Sequence, residues 1–156
     1  MMSATARIAE LGVDLPEVAQ PVGSYVQARI HGGQIIVTGQ LAFLDGSIAN
    51  PGLLGGEVSV DEGAAAARIC ALNSIAAAAA VAGGLDKVEG VLHLTGYLAC
   101  ADGFTGHSAV LNGASDVFVE IFGESGRHAR TNVGVASLPL RSPVELQVTY
   151  AMAQGE

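Results

Sequence analysis

RHARTNVGVASLPLRSPVEL, residues 127–146, holds two strand-like runs joined by LPLRSP at 138–143, with Arg130 just before the first run and Glu145 inside the second. In 131–136, Val133 and Val135 alternate with Asn132, Gly134 and Ala136, and Arg130 falls in phase with the second set. From 144 to 152, Val144, Leu146, Val148, Tyr150 and Met152 oppose Glu145, Gln147 and Thr149. The two prolines of the connection suit a turn, so the spacing predicts a hairpin. If both apolar sets meet the core, Arg130 and Glu145 share the other face, where they make either a working site or an ordinary ion pair.

Working outward, AAAARICALNSIAAAAAVA at 64–82 is about as long as a membrane-spanning helix. Alanine is a strong helix former but weakly apolar, and Arg68, Asn73 and Ser74 interrupt the run, so a helix of a soluble fold with a thin side-chain layer is expected. Ser59 and Glu62 offer a capping box, and Gly83-Gly84 a left-handed stop. Val110, Ala114, Val117, Phe118 and Ile121 recur at helical spacing within 107–123 and predict a second amphipathic helix.

The remaining alternations are strand-like. Residues 25–30 place Val26, Ala28 and Ile30 opposite Tyr25, Gln27 and Arg29, then HGG turns into QIIVTG, a hairpin. In 91–100, Leu92, Leu94 and Leu98 share one face and His93, Thr95 and Tyr97 the other. The order is strand, strand, helix, strand, helix, strand, strand: an α+β fold with both helices on one face of a mixed sheet. Gly134, Ala136 and Val91 on the opposite face give it an unusually small and apolar character, which predicts contact with another protein copy.

A chain of 156 residues fits a single domain, 1–156, with an N-terminal extension at 1–19 and a long Gly-rich loop at 44–59 long enough to cover a site. Its formal net charge of -8, with seven scattered Lys and Arg, leaves no basic stripe for nucleic acid. Cys70 and Cys100 have neither CxxC spacing nor ligand-spaced neighbours, and read as reduced, buried thiols. His31, His93, His107 and His128 have no ligand-spaced partners, so no metal is expected. Residues 1–16 lack a basic segment followed by an apolar core and a cleavage site, so the expectation is a cytoplasmic protein with no membrane partner.

Four stretches, taken in order, resemble one family. VGSYVQA (22–28) is similar to its G-x-Y-x-Q-A segment, and IIVTGQ (35–40) to its apolar strand ending in S/T-G-Q. HARTNVGVASLP (128–139) is similar to A-R-x-x-V-x-V-x-x-L-P, and VELQVTYAM (144–152) to its closing V-E-x-x-x-x-A strand. The chain resembles the reactive intermediate deaminase (Rid, or YjgF) family, also described as L-PSP endoribonucleases. That resemblance implies a chorismate-mutase-like fold of the bacillus type and a homotrimer with sheets facing inward and clefts between subunits.

It also implies roles. In the deaminating members the arginine matching Arg130 holds the carboxylate of a 2-imino or 2-enamino acid, and the glutamate matching Glu145 positions or activates water. Tyr25, Thr38, Gly39 and Asn112 match further cleft positions; Tyr25 joins Arg130 and Glu145 in the candidate catalytic set. Asn132 stands where the deaminases often have cysteine beside the carboxylate, and His128 lies next to Arg130; both join the candidate substrate contacts. The extension and the 44–59 loop resemble a longer branch of the family.

The chemistry is sound without the resemblance. A guanidinium is permanently charged and presents a planar fork of donors that suits a carboxylate. A protonated imine is already electrophilic, so hydrolysis needs an oriented water and a carboxylate to handle its proton, with no cofactor. The bland reading makes Arg130 and Glu145 structural ion-pair partners, and Tyr25, Thr38 and Asn112 ordinary packing or hydrogen-bonding residues. The expected function is hydrolysis of reactive imines to keto acids and ammonia. The alternative is a trimeric binding protein for small carboxylate metabolites; a ribonuclease ranks below both, and mutase activity rests on fold alone.

Overall fold

In the computed structural model, which describes residues 1–155, five strands form one mixed sheet covered on one face by helices. In chain order the elements are α1 (Ala4–Leu11), β1 (Ala28–His31), β2 (Gln34–Leu41), a small hairpin β3 (Phe43–Leu44) and β4 (Ser47–Ile48), α2 (Val60–Ala82), β5 (Val88–Ala99), α3 (His107–Phe122), β6 (Ala129–Val135) and β7 (Val144–Met152). The sheet order is β1-β2-β7-β5-β6, with β5 and β6 parallel and the other pairs antiparallel.

α2 forms as its ends dictate. The Ser59 hydroxyl accepts from Glu62 N, the Glu62 carboxylate accepts from Ser59 N, and Gly83 closes the helix in the left-handed region. The helix is long and apolar enough to cross a membrane by length and composition, yet half of its most apolar window is buried inside the fold. Ala66, Ala67, Cys70, Ala71 and Ile75 pack toward the sheet, and Arg68 pairs with Glu120 of α3. The α3 stripe is buried as its spacing predicts, from Val110 to Ile121.

Three strand expectations are corrected. β6 and β7 are not a hairpin, because β5 inserts between them, paired to β6 on one side and β7 on the other. Residues 136–143 therefore cross from the sheet edge to its centre. In β5 a register shift between Val91 and His93 inserts Leu92 as an extra residue. The bulge flips the side-chain phase, so Val91 is buried and Leu92 is 43% exposed, the reverse of the simple alternation. The first strand begins at Ala28, leaving Tyr25 and Val26 exposed in the preceding loop.

The extension and the long loop are both folded against the body. α1 is capped by the Ser3 hydroxyl and closed by Gly12, Thr5 N donates to Asp86, and Ala4, Ile8, Leu15 and Val18 pack on the core. Leu54 is fully buried and bonds the end of β5 in both directions, donating to Ala99 O and accepting from Ala101 N.

The two helices approach until backbone meets backbone. A Cβ on Gly113 of α3 would run into the Ala64 carbonyl group of α2. In a free helix Gly→Ala is worth about 1 kcal/mol of added stability. Here the overpacking wins: Gly113→Ala is expected to lower stability by about 1–3 kcal/mol in urea unfolding, and a gain in stability would contradict the contact.

Candidate functional site

Arg130 lies on the helix-covered face, because its partner in the parallel ladder is the buried Leu94. Its Nη1 donates to Asn112 Oδ1 at 2.8 Å and to Ser115 Oγ at 3.1 Å, and Nη2 reaches the Ser108 carbonyl at 3.5 Å. Nη1 is thereby used up by α3, and the Nε–Nη2 edge retains donors for a bidentate carboxylate. All three partners are neutral. Among the described residues no carboxylate pairs with Arg130, so its charge is held in place without being cancelled.

Two positions along β6, Asn132 donates to Ser108 Oγ at 3.3 Å, and at Gly134 a Cβ would meet His107 Nε2. The helix-facing row of β6 is therefore Arg130, Asn132 and Gly134, set against Ser108, Asn112 and Ser115 of α3. Ser108 and Ser115 escaped the sequence reading. Their signal was present: 108, 112 and 115 follow the helical repeat along one polar flank of α3.

His128 completes this side. Its Nδ1 lies 2.7 Å from Gly126 O, and since a carbonyl only accepts, Nδ1 carries the proton. Nε2 then accepts from the Ser115 hydroxyl at 3.0 Å, and Ser115 Oγ accepts from Arg130. Burial pushes the imidazole below its ordinary pKa, against the opposing hydrogen bond to Gly126 O, and the neighbouring Arg130 and His93 charges add to the lowering. Ser115, Val119, Arg127, His128 and Arg130 line an adjoining cavity of about 330 Å³.

Glu145 lies on the opposite, uncovered face, beside Tyr97 of β5 and Leu41 of β2 in the ladder. It is half-buried, and desolvation raises its pKa. Gly39 sits against its carboxylate, in the irregular step of β2 between Val37 and Gln40; a Cβ there would collide with Glu145 Oε1. The half-buried Thr38 lies in the same step and donates its backbone N–H to Gln27 O. Tyr25 takes part in neither group, its hydroxyl accepting a long 3.4 Å bond from Val22 N.

The expectation that Arg130 and Glu145 share a face is therefore wrong. The expected alternation is present in β6 with its two faces exchanged: Val133, paired with Tyr97, faces outward and is 41% exposed. The ion pair is excluded within one chain by the same fact. The structure gathers Arg130, Asn112, Asn132 and His128 on one face of the sheet, and Glu145, Gly39 and Thr38 on the other. None of the residues of the 44–59 loop lines the cavity beside Arg130. Cys70 is buried against the Val144 carbonyl, while Cys100 is only half-buried and donates to Leu98 O.

The family described as YjgF/chorismate mutase-like, putative endoribonuclease, matches residues 5–154. This chain belongs to it. As a YjgF-family protein it is 43% identical over 142 residues to Protein TCP17 of Trypanosoma cruzi, a match covering 90% of this chain and 89% of that one. The crystal structure of a putative endoribonuclease from Shewanella oneidensis superposes with a TM-score of 0.93 at 34% identity, over 97% of this chain and 100% of the other. Atu1372 of Agrobacterium tumefaciens, a protein of unknown function, superposes at 0.85 with 38% identity, over 96% and 92%. The YjgF-family match begins inside α1, so the N-terminal extension is part of the shared domain.

The burial of His128 fixes a pH dependence. The fold favours the neutral ring, so the stabilisation it brings is present above the unfolded-state value of about 6.5 and is lost as pH falls from there through the lower folded value. Nitrogen-15 NMR is expected to show His128 as the Nδ1–H tautomer, titrating below an ordinary histidine. An Nε2–H tautomer, or an upward shift, would break the assigned relay.

Proposed function

We propose that this YjgF-family protein hydrolyses reactive 2-imino and 2-enamino acids to 2-keto acids and ammonia, in sites built from two neighbouring copies of a homotrimer. The observation that carries this reading is the division of the site. Among the described residues Arg130 stands charged and unneutralised on one face, and Glu145 stands desolvated on the other without a hydrogen-bond partner. A single sheet keeps them apart. A second copy, presenting its uncovered face to the β6 edge of the first, brings a Glu145 to an Arg130, and Val133 and Leu92 supply exposed apolar surface on that uncovered face.

In this reading the Nε–Nη2 edge of Arg130 grips the substrate carboxylate, with Asn112 and Ser115 keeping the guanidinium from turning. Asn132 presents its backbone and amide beside the same group. An enamino acid first takes a proton at C3 to become the imine. Water then adds to C2 of the protonated imine while its proton passes to Glu145, giving a carbinolamine. The proton returns to nitrogen, the C–N bond breaks as the hydroxyl proton passes to the Glu145 carboxylate, and ammonia leaves with the keto acid. Thr38 and Gly39, beside Glu145, line the water side. The small carboxylate-bearing substrate is the partner this chemistry requires, and no cofactor enters a step.

The endoribonuclease of the family description fits less well, since an acidic chain with seven Lys and Arg offers no track along a phosphate backbone.

Imines generated in situ from alanine test the reading. Glu145→Gln is expected to cost about 10²–10⁴ in kcat, and Arg130→Ala to act mainly on KM. Because desolvation raises the Glu145 pKa, the base form is lost at a higher pH than for an ordinary carboxylate, and the acid limb of the rate profile shifts upward accordingly. At substrate concentrations well below KM, where the Arg130→Ala and Glu145→Ala variants are each strongly impaired alone, co-assembling them is expected to restore roughly a quarter of wild-type activity, since each shared site draws one residue from each copy. No restoration would contradict the shared site. Saturable, Arg130-dependent binding of keto acids without any turnover would make the protein a carboxylate-binding module instead.

A further inference from the structure

We propose that the cavity beside Arg130 holds a second anionic group, so that the favoured substrates are 2-imino acids carrying a second carboxylate on a short side chain. This rests on the reading above and names the substrate class of the same site. The chain carries a net charge of -8 and only seven Lys and Arg, yet two of those seven, Arg127 and Arg130, line this one cavity, and none of its lining residues is acidic. The concentration of positive charge is local. Ser115 is committed to His128 and Arg130, and the His128 ring donates to Gly126 O, which leaves the Arg127 guanidinium, held only by a surface pair with Glu124, as the second cation of the cavity wall.

Arg127 is available for that task. It pairs with Glu124 at 3.2 Å, but the two side chains are 72% and 88% exposed, and a surface pair of this kind gives way readily to a ligand. Arg130, by contrast, is clamped by two hydrogen bonds and gives the cavity a fixed end. The two residues are three apart, roughly 10 Å of extended chain, and both side chains turn onto one volume of about 330 Å³. A diacid of four or five carbons suits such a pair, one carboxylate on the clamped guanidinium and the other on the exposed one. Val119, the apolar member of the lining, faces the short carbon chain between them.

The test compares imines generated in situ from alanine and from glutamate, on wild type, Arg127→Gln and Arg127→Lys. Wild type is expected to prefer the glutamate imine in kcat/KM. Arg127→Gln is expected to reduce that preference about tenfold, through KM, and Arg127→Lys to recover most of it, since one charge-assisted contact is at stake. An unchanged preference in Arg127→Gln overturns the proposal. If wild type turns over neither imine, the hydrolase reading fails, and the cavity is judged by calorimetry with 2-oxoglutarate and 2-oxobutyrate. Tighter binding of the diacid, abolished by Arg127→Gln, supports the second anion site; equal affinities refute it.

Discussion

Two hydrogen bonds from Arg130 Nη1, to Asn112 Oδ1 and Ser115 Oγ, fasten the edge strand β6 to α3 and define the charged half of the site. Taking a guanidinium partly out of water is costly unless its donors are satisfied. Neutral acceptors meet that need without cancelling the charge. An aspartate at position 112 would hold the side chain as well and leave nothing for a ligand. In a chain of net charge -8, a cation that is rigid, partly desolvated and unneutralised is an uncommon object, and it attracts anions more strongly than a free surface arginine.

That fastening depends on how near α3 comes to the sheet and to α2. Small residues decide it. A Cβ on Gly96 would strike Leu111 of α3, one on Gly134 would strike His107, and one on Gly113 would strike the α2 backbone. The alanines of α2 form a thin layer over the sheet, which leaves room for α3 beside it rather than above it. The polar flank of α3 then falls within reach of β6. Packing of the most ordinary kind thus sets the position of Asn112 and Ser115, and through them the direction of the guanidinium.

Much of this was legible from periodicity. The order of the main strands and helices, the Ser59–Glu62 cap and the α3 stripe follow from local signals, and local signals suffice for local structure. What escaped depends on neighbours far away in sequence. Alternation in β6 gives two faces but not which one the helices cover, and at a sheet edge the apolar set, Val133 included, need not be the inner one. Only the pairing of Arg130 with Leu94 decides that. The bulge at Leu92 and the insertion of β5 between β6 and β7 are likewise properties of the assembled sheet. Arg130 and Glu145 were recognisable as candidates; their separation was not.

The separation has a chemical consequence of its own. An arginine and a glutamate placed side by side on one flexible surface neutralise each other, and a substrate must then compete with that pair. With the two residues on opposite faces of one sheet, neither quenches the other inside a chain. In the proposed assembly each is presented by a different rigid body, so the distance between them is fixed by how the copies dock. Desolvation keeps the proton affinity of Glu145 raised, among the described residues no salt bridge offsets it, and Arg130 is held by neutral acceptors that leave its charge uncancelled. Acid–base work and anion binding ask for opposite electrostatic surroundings, and a sheet with one face for each supplies both.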